Sequence, residues 1–126
     1  MKQMIDTPLA PKPSGTYSQA IKSNNTIYIS GQIAKSPDTD QMITESFGAE
    51  AKQVFNNLSA VAKAAGGNLN QIVKLTVFLT NLADFPIVNQ IMAEIFTAPY
   101  PARSTFQVAA LPAGARIEVE AVMEVI

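Results

Sequence analysis

At 126 residues the chain has the length of one ordinary domain, so the expectation is a single domain over residues 1–126 with one core. Only 15% of residues are charged, against roughly 25% in an average soluble domain, and the net charge is −1, which favours neither a nucleic-acid backbone nor an anionic membrane as partner. With no cysteine and no histidine the chain has no disulfide, no thiolate nucleophile and no conventional transition-metal site.

The shortage of charge, set against 48% apolar residues, points to a homo-oligomer. The first residues, MKQMIDTPLAPKPSG, lack the apolar run of a signal peptide, and no stretch approaches the roughly 18 apolar residues of a membrane span. A cytoplasmic protein is the expectation.

Residues 7–15, TPLAPKPSG, predict an irregular arm, with regular structure beginning near Tyr17. A hairpin follows: a strand from about Ser18 to Lys22, a turn at SNN, and a strand from Thr26 to Ile33. Alternation puts Ile27, Ile29 and Ile33 on one face and Tyr28, Ser30 and Gln32 on the other.

Phe47, Ala51, Val54, Phe55, Leu58, Val61, Ala62 and Ala65 then recur at helical spacing, closed by Gly66-Gly67. QIVKLTVFLT returns to strand composition, with Val73, Leu75, Val77 and Leu79 predicted on one face and Lys74, Thr76, Phe78 and Thr80 on the other. Asp84 is placed to cap a second helix with Pro86 in its first turn. That helix is expected to bury Val88, Ile91, Met92, Ile95 and Phe96 and to end before Pro99. Strands near Ala102–Ala109 and Ala115–Val125 complete a β-β-α-β-α-β-β order, an α+β layer with two helices on one face of a mixed sheet.

In the last two strands, Phe106 and Val108 alternate with Arg103, Thr105 and Gln107, and Ile117, Val119, Ala121 and Met123 alternate with Arg116, Glu118, Glu120 and Glu124. If the apolar sets meet the helices, the other face offers Ser30, Gln32, Lys74, Thr76, Arg103, Thr105, Glu118 and Glu120. By pattern alone this is most simply a solvated face. Against that, Phe78, Tyr28 and Val122 share it and suit a subunit interface, which would leave room for a polar pocket with Arg103 as its positive charge. Tyr17 fits either edge packing or a cleft, and Gly31 either packing or close approach of a ligand. Asn89 reads as a surface or locally bonded residue, and AAGGN as a helix stop, since no P-loop lysine follows it.

The segments GTYSQAI, ISGQIA, NLSAVAKAAGG, IVKLTVFLTNLADFPIVN, YPARSTFQVAALP and IEVEAV, in unbroken order from Tyr17 to Val125, resemble the RidA family of reactive intermediate deaminases. The resemblance implies a chorismate-mutase-like fold assembled as a homotrimeric barrel with clefts between subunits. It further implies cofactor-free hydrolysis of 2-imino acids to 2-keto acids and ammonia in amino-acid metabolism.

Carried across residue by residue, Arg103 matches the arginine that grips the substrate carboxylate. Glu118 matches the acid that handles the hydrolytic water, and Tyr17 the cleft tyrosine. Ser30 and Gly31 match the pocket floor, while Ser104 and Thr105, the two residues after the arginine, fall in the substrate site, Thr105 through its main chain. Thr16 stands where many members have proline and Thr105 where many have cysteine, so thiol chemistry is excluded here. The competing readings are a binding-only trimer that senses a small carboxylate, and a ribonuclease or translation inhibitor, which the lack of a basic patch opposes.

Overall fold

The computed structural model describes residues 1–126. Its strands are β1 (Lys2–Ile5), β2 (Ala20–Ser23), β3 (Thr26–Gln32), β4 (Ile72–Leu79), β5 (Ala102–Gln107) and β6 (Ile117–Glu124); its two α-helices are α1 (Phe47–Ala64) and α2 (Phe85–Ile95). The strands form one sheet in the order β1-β2-β3-β6-β4-β5, antiparallel except for the β4–β5 pair. The expected α+β mixed sheet with two helices is therefore what forms, with one strand more at the amino end.

That added strand lies before the predicted arm: Gln3 pairs with Lys22 and Ile5 with Ala20. Its four residues are too few for alternation to stand out, and three are exposed, so only pairing with β2 defines it. The turn between β2 and β3 places Asn24 at φ 55°, a left-handed conformation that asparagine tolerates.

Helix α1 begins where the Ser46 side chain accepts the Ala49 N–H and ends where Gly66 takes φ 93°. Its apolar stripe, including Val54, Leu58 and Val61, is fully buried against Ile27, Leu75, Val77, Ile117 and Val119 of the sheet. Burial of each such side chain is worth about 1.5–3 kcal/mol.

Helix α2 buries Val88, Ile91 and Met92 as expected, but Ile95 is exposed at the helix end. Asp84 occupies the cap position without a capping hydrogen bond. The preceding 3-10 turn instead uses Asn81, whose side chain accepts the Ala83 N–H. A turn ahead of the helix thus takes over the capping that spacing assigned to Asp84.

Three face assignments are corrected. In β4, Ile72 is buried and Val73 exposed, because the register with β6 shifts between Ile72 and Lys74. In β3 a register shift between Ile29 and Gln32 inserts an extra residue, so Gln32 turns inward beside Val119 rather than sharing a face with Ser30.

The third correction matters most for function. Parallel pairing sets Phe106 opposite Phe78 and Arg103 opposite Leu75. Phe106 therefore stacks on Phe78 on the face away from the helices, ring centroids 6.5 Å apart, while Arg103, Thr105 and Gln107 turn toward the helix side. Apolar residues of this edge strand, expected by alternation to meet the helices, instead mark the uncovered face, where Tyr28 and Phe106 are more than half exposed.

One ionic contact ties the layers together near the start of β6. Glu50 of α1, fully buried, accepts the Arg116 main-chain N–H and the Arg116 Nε–H, each at 2.7 Å. Glu50→Ala strips both donors of their partner, and a loss of about 3 kcal/mol is expected. Thermal denaturation should show a fall in Tm of about 10 °C, with Glu50→Gln falling less because it keeps one acceptor.

Candidate functional site

The candidate residues fall into two groups on opposite sides of the sheet. The first group surrounds Glu118. Extra chain in β3 brings Gly31 against the Glu118 side chain so closely that a Cβ there would overlap its Oε2 and lie 2.9 Å from its Cδ. Only glycine admits the carboxyl at this position. Tyr17, Ser30, Gly31, Ser14, Pro112 and Glu118 line a common pocket of about 420 Å³.

Hydrogen bonds hold this pocket's parts. The Ser30 hydroxyl donates to the Ser18 carbonyl at 2.6 Å and the Ser30 N–H to the Gln19 carbonyl at 3.0 Å. The Ser14 N–H donates to the Tyr17 hydroxyl oxygen at 3.2 Å. Removal from water, and then the charge of Glu120 two residues on along the same strand face, push the Glu118 carboxyl above the ordinary carboxylate range. It therefore holds a proton more readily than a surface glutamate, a property that suits a group able to take and return a proton.

Gly31→Ala tests how tightly the position is set. The new methyl must displace the carboxyl, so a folded protein in which any activity that depends on the Glu118 carboxyl is reduced about 100-fold is expected, read by steady-state kinetics alongside an unchanged circular dichroism spectrum.

The second group surrounds Arg103. Its guanidinium lies over the Phe85 ring, 4.8 Å from the centroid, and Nη1 donates to Asn89 Oδ1 at 2.7 Å and to Met92 Sδ at 3.3 Å. It makes no ion pair, unlike Arg116 and Lys35. A cation fixed by neutral partners keeps its charge available for an incoming carboxylate. Arg103, Asn89, Met92, Ala93, Tyr100 and Pro101 line a pocket of about 420 Å³.

The sequence reading placed Arg103 and Glu118 on one face; within the chain they lie on opposite faces. Ser104, opposite Thr76, is on the Glu118 side, and Thr105 on the Arg103 side with its hydroxyl buried and unpartnered. Asn89, expected to be a surface or locally bonded residue, is exposed, and its hydrogen-bond partner is the distant Arg103. Its signal was helical phase: Phe85, Asn89 and Met92 follow i, i+4, i+7 and all three contact Arg103.

A family model described as Endoribonuclease L-PSP matches residues 7–125. The chain belongs to this family. A 2-iminobutanoate/2-iminopropanoate deaminase of Dermatophagoides farinae is 47% identical over 122 residues, 97% of this chain and 95% of the relative. The human protein of the same name is 45% identical over 97% of this chain and 89% of its own. The crystal structure of RidA from an Antarctic Psychrobacter superposes with a TM-score of 0.95 at 48% identity, covering 98% of this chain and 99% of that one. The resemblance to reactive intermediate deaminases thus extends over nearly the full length, in sequence and in fold.

Proposed function

We propose that the protein is a deaminase that hydrolyses reactive 2-imino acids, and the enamines in equilibrium with them, to 2-keto acids and ammonia. The observation that carries this reading is the Glu118 carboxyl, half-buried against Gly31 in the Tyr17 pocket and raised in pKa. Relatives at 45–47% identity bearing the 2-iminobutanoate/2-iminopropanoate deaminase name support the substrate class.

The catalytic site forms between copies of the chain in a homotrimer, one copy supplying Glu118, Tyr17, Ser30 and Gly31 and its neighbour Arg103 with Thr105, while Ser104, facing away from Arg103, falls outside that half. Two features support this: the halves occupy opposite faces of one chain, and Tyr28, Phe78, Phe106 and Val122 form an uncovered apolar surface beside Glu118. The proposed setting is amino-acid metabolism in the cytoplasm. No helix of the chain is long and apolar enough to cross a membrane.

In this site Arg103 binds the substrate carboxylate as a charge-assisted pair and aims the C=N carbon at a water beside Glu118. Water oxygen bonds to the iminium carbon while Glu118 takes one of the water's protons and the C=N π pair moves onto nitrogen, giving a neutral carbinolamine. Glu118 returns that proton to nitrogen, and as the C–N bond breaks and ammonia leaves with its electron pair, the carbinolamine hydroxyl gives its proton to the Glu118 carboxylate and the C=O bond forms. Coupling a pyridoxal-phosphate dehydratase or an amino-acid oxidase to this protein and following imine disappearance tests the reading. Accelerated loss is expected, and decay at the uncatalysed rate across several amino-acid precursors overturns it.

A further inference from the structure

The segment Thr7–Ser14 carries prolines at 8, 11 and 13, which have no N–H to give a sheet. It is nonetheless anchored: Thr7 and Ala10 are buried, and the 2% exposed side chain of Gln19 serves as its hydrogen-bond partner. Gln19 Oε1 accepts the Thr7 N–H at 2.7 Å, and Nε2 donates to the carbonyls of Thr7, Ala10 and Pro11 at 3.0, 3.3 and 2.9 Å. The same residue's main-chain carbonyl accepts the Ser30 N–H of the pocket floor. Gln19 thus joins the arm to the wall that holds Glu118.

The anchored arm delivers one group to the pocket, the Ser14 N–H, which donates to the Tyr17 hydroxyl oxygen. A phenol has a single proton, and an oxygen already accepting from an amide directs that proton to a different partner. The Ser30 hydroxyl is committed to Ser18, so the ionisable acceptor lining this pocket is Glu118, together with whatever nitrogen or oxygen a substrate brings.

We propose that Gln19 is a positioning residue for the reaction: by clamping the arm it keeps the Ser14 N–H on the Tyr17 oxygen and so turns the Tyr17 proton into the Glu118 pocket. Tyr17 then acts as a hydrogen-bond donor to the carbinolamine, not as an apolar wall. This rests on the deaminase reading and adds to it the origin of the donor's direction.

The test is a double-mutant cycle on the full chain with imine hydrolysis as readout. Tyr17→Phe is expected to lower kcat about 10- to 100-fold. Gln19→Ala should lower kcat to a similar extent while leaving the Kd of a keto-acid product, bound through Arg103, unchanged. The double variant should be no slower than Tyr17→Phe alone, because both changes remove one interaction. Multiplicative losses in the double variant overturn the proposal, as does full kcat in Gln19→Ala.

Should Gln19→Ala not fold, Ser14→Pro at the exposed end of the arm removes that N–H, with Ser14→Ala as the control for the lost hydroxyl, and takes its place in the cycle with the same expected and overturning results. Absence of hydrolysis by the unaltered protein would refute the deaminase reading itself, an outcome distinct from additivity in an active enzyme.

Discussion

Arg103→Ala is expected to lower kcat/KM for 2-imino acid hydrolysis by on the order of 10²–10³-fold, the equivalent of about 3–4 kcal/mol in lost carboxylate pairing. The guanidinium rests on Phe85 and is bonded by Asn89 and Met92, so a substrate bound there as proposed would meet a cation already oriented. Arg103→Lys should recover little, since an ammonium cannot reproduce the planar fork. A keto-acid product should bind to the alanine variant too weakly for calorimetry, while Tm stays near that of the parent. Near-parental turnover would remove Arg103 from the mechanism. In the proposed shared site, co-expressing Arg103→Ala chains with chains inactivated at Glu118 should restore part of the activity, because some interfaces would then combine an intact half from each. Failure of that complementation would place both groups in separate roles and not in one shared site.

Glu118→Gln is expected to cut kcat about 100-fold or more while a keto-acid product binds almost as before, since the amide fills the same space against Gly31 but exchanges no proton. The unaltered enzyme should lose activity on the acid side of its pH profile at a higher pH than an ordinary glutamate base would give. Burial and the Glu120 charge raise the pKa of Glu118, and the base must be ionised to take the water's proton. Stability carries the same sign. A carboxyl whose folded pKa exceeds its unfolded value favours folding fully below the unfolded value, and that contribution is lost as pH rises through the folded one. Glu118→Gln, always neutral, should therefore melt above the parent at neutral pH and match it in acid. An equal or lower Tm at neutral pH would show that a charge partner, as the Arg103 of a neighbouring copy would be in the proposed shared site, offsets the burial of Glu118.

Much of this fold was legible from periodicity. Helix α1 extends from Phe47 to Ala64 as the 3.6-residue spacing and the Gly66 stop require, and β6 alternates through Ile117, Val119, Ala121 and Met123 without interruption. Where the reading failed, local pattern competed with a pairing decision made elsewhere. Gln32 and Val73 lie at register shifts, where one extra residue exchanges the faces of everything beyond it. β1 is visible only through its partner.

The site divides in the same way. Sequence alone supplied the residue types, the absence of thiol and imidazole chemistry, and, through the PARS and IEVE motifs, the candidate residues Arg103 and Glu118. It could not supply their relative side, because β5 is an edge strand whose Phe106 and Arg103 both fit either face by composition. The parallel register with β4 decided it, turning Arg103 to α2 and leaving Phe106 on Phe78. Tertiary structure also revealed what no spacing encodes: the fit of Gly31 around the Glu118 carboxyl, the hold of Asn89 on Arg103, and the Gln19 clamp on a proline-bearing arm. Each is a contact between segments distant in the chain. A linear pattern records the preferences of each segment; the partner each one meets is settled when the sheet and helices pack.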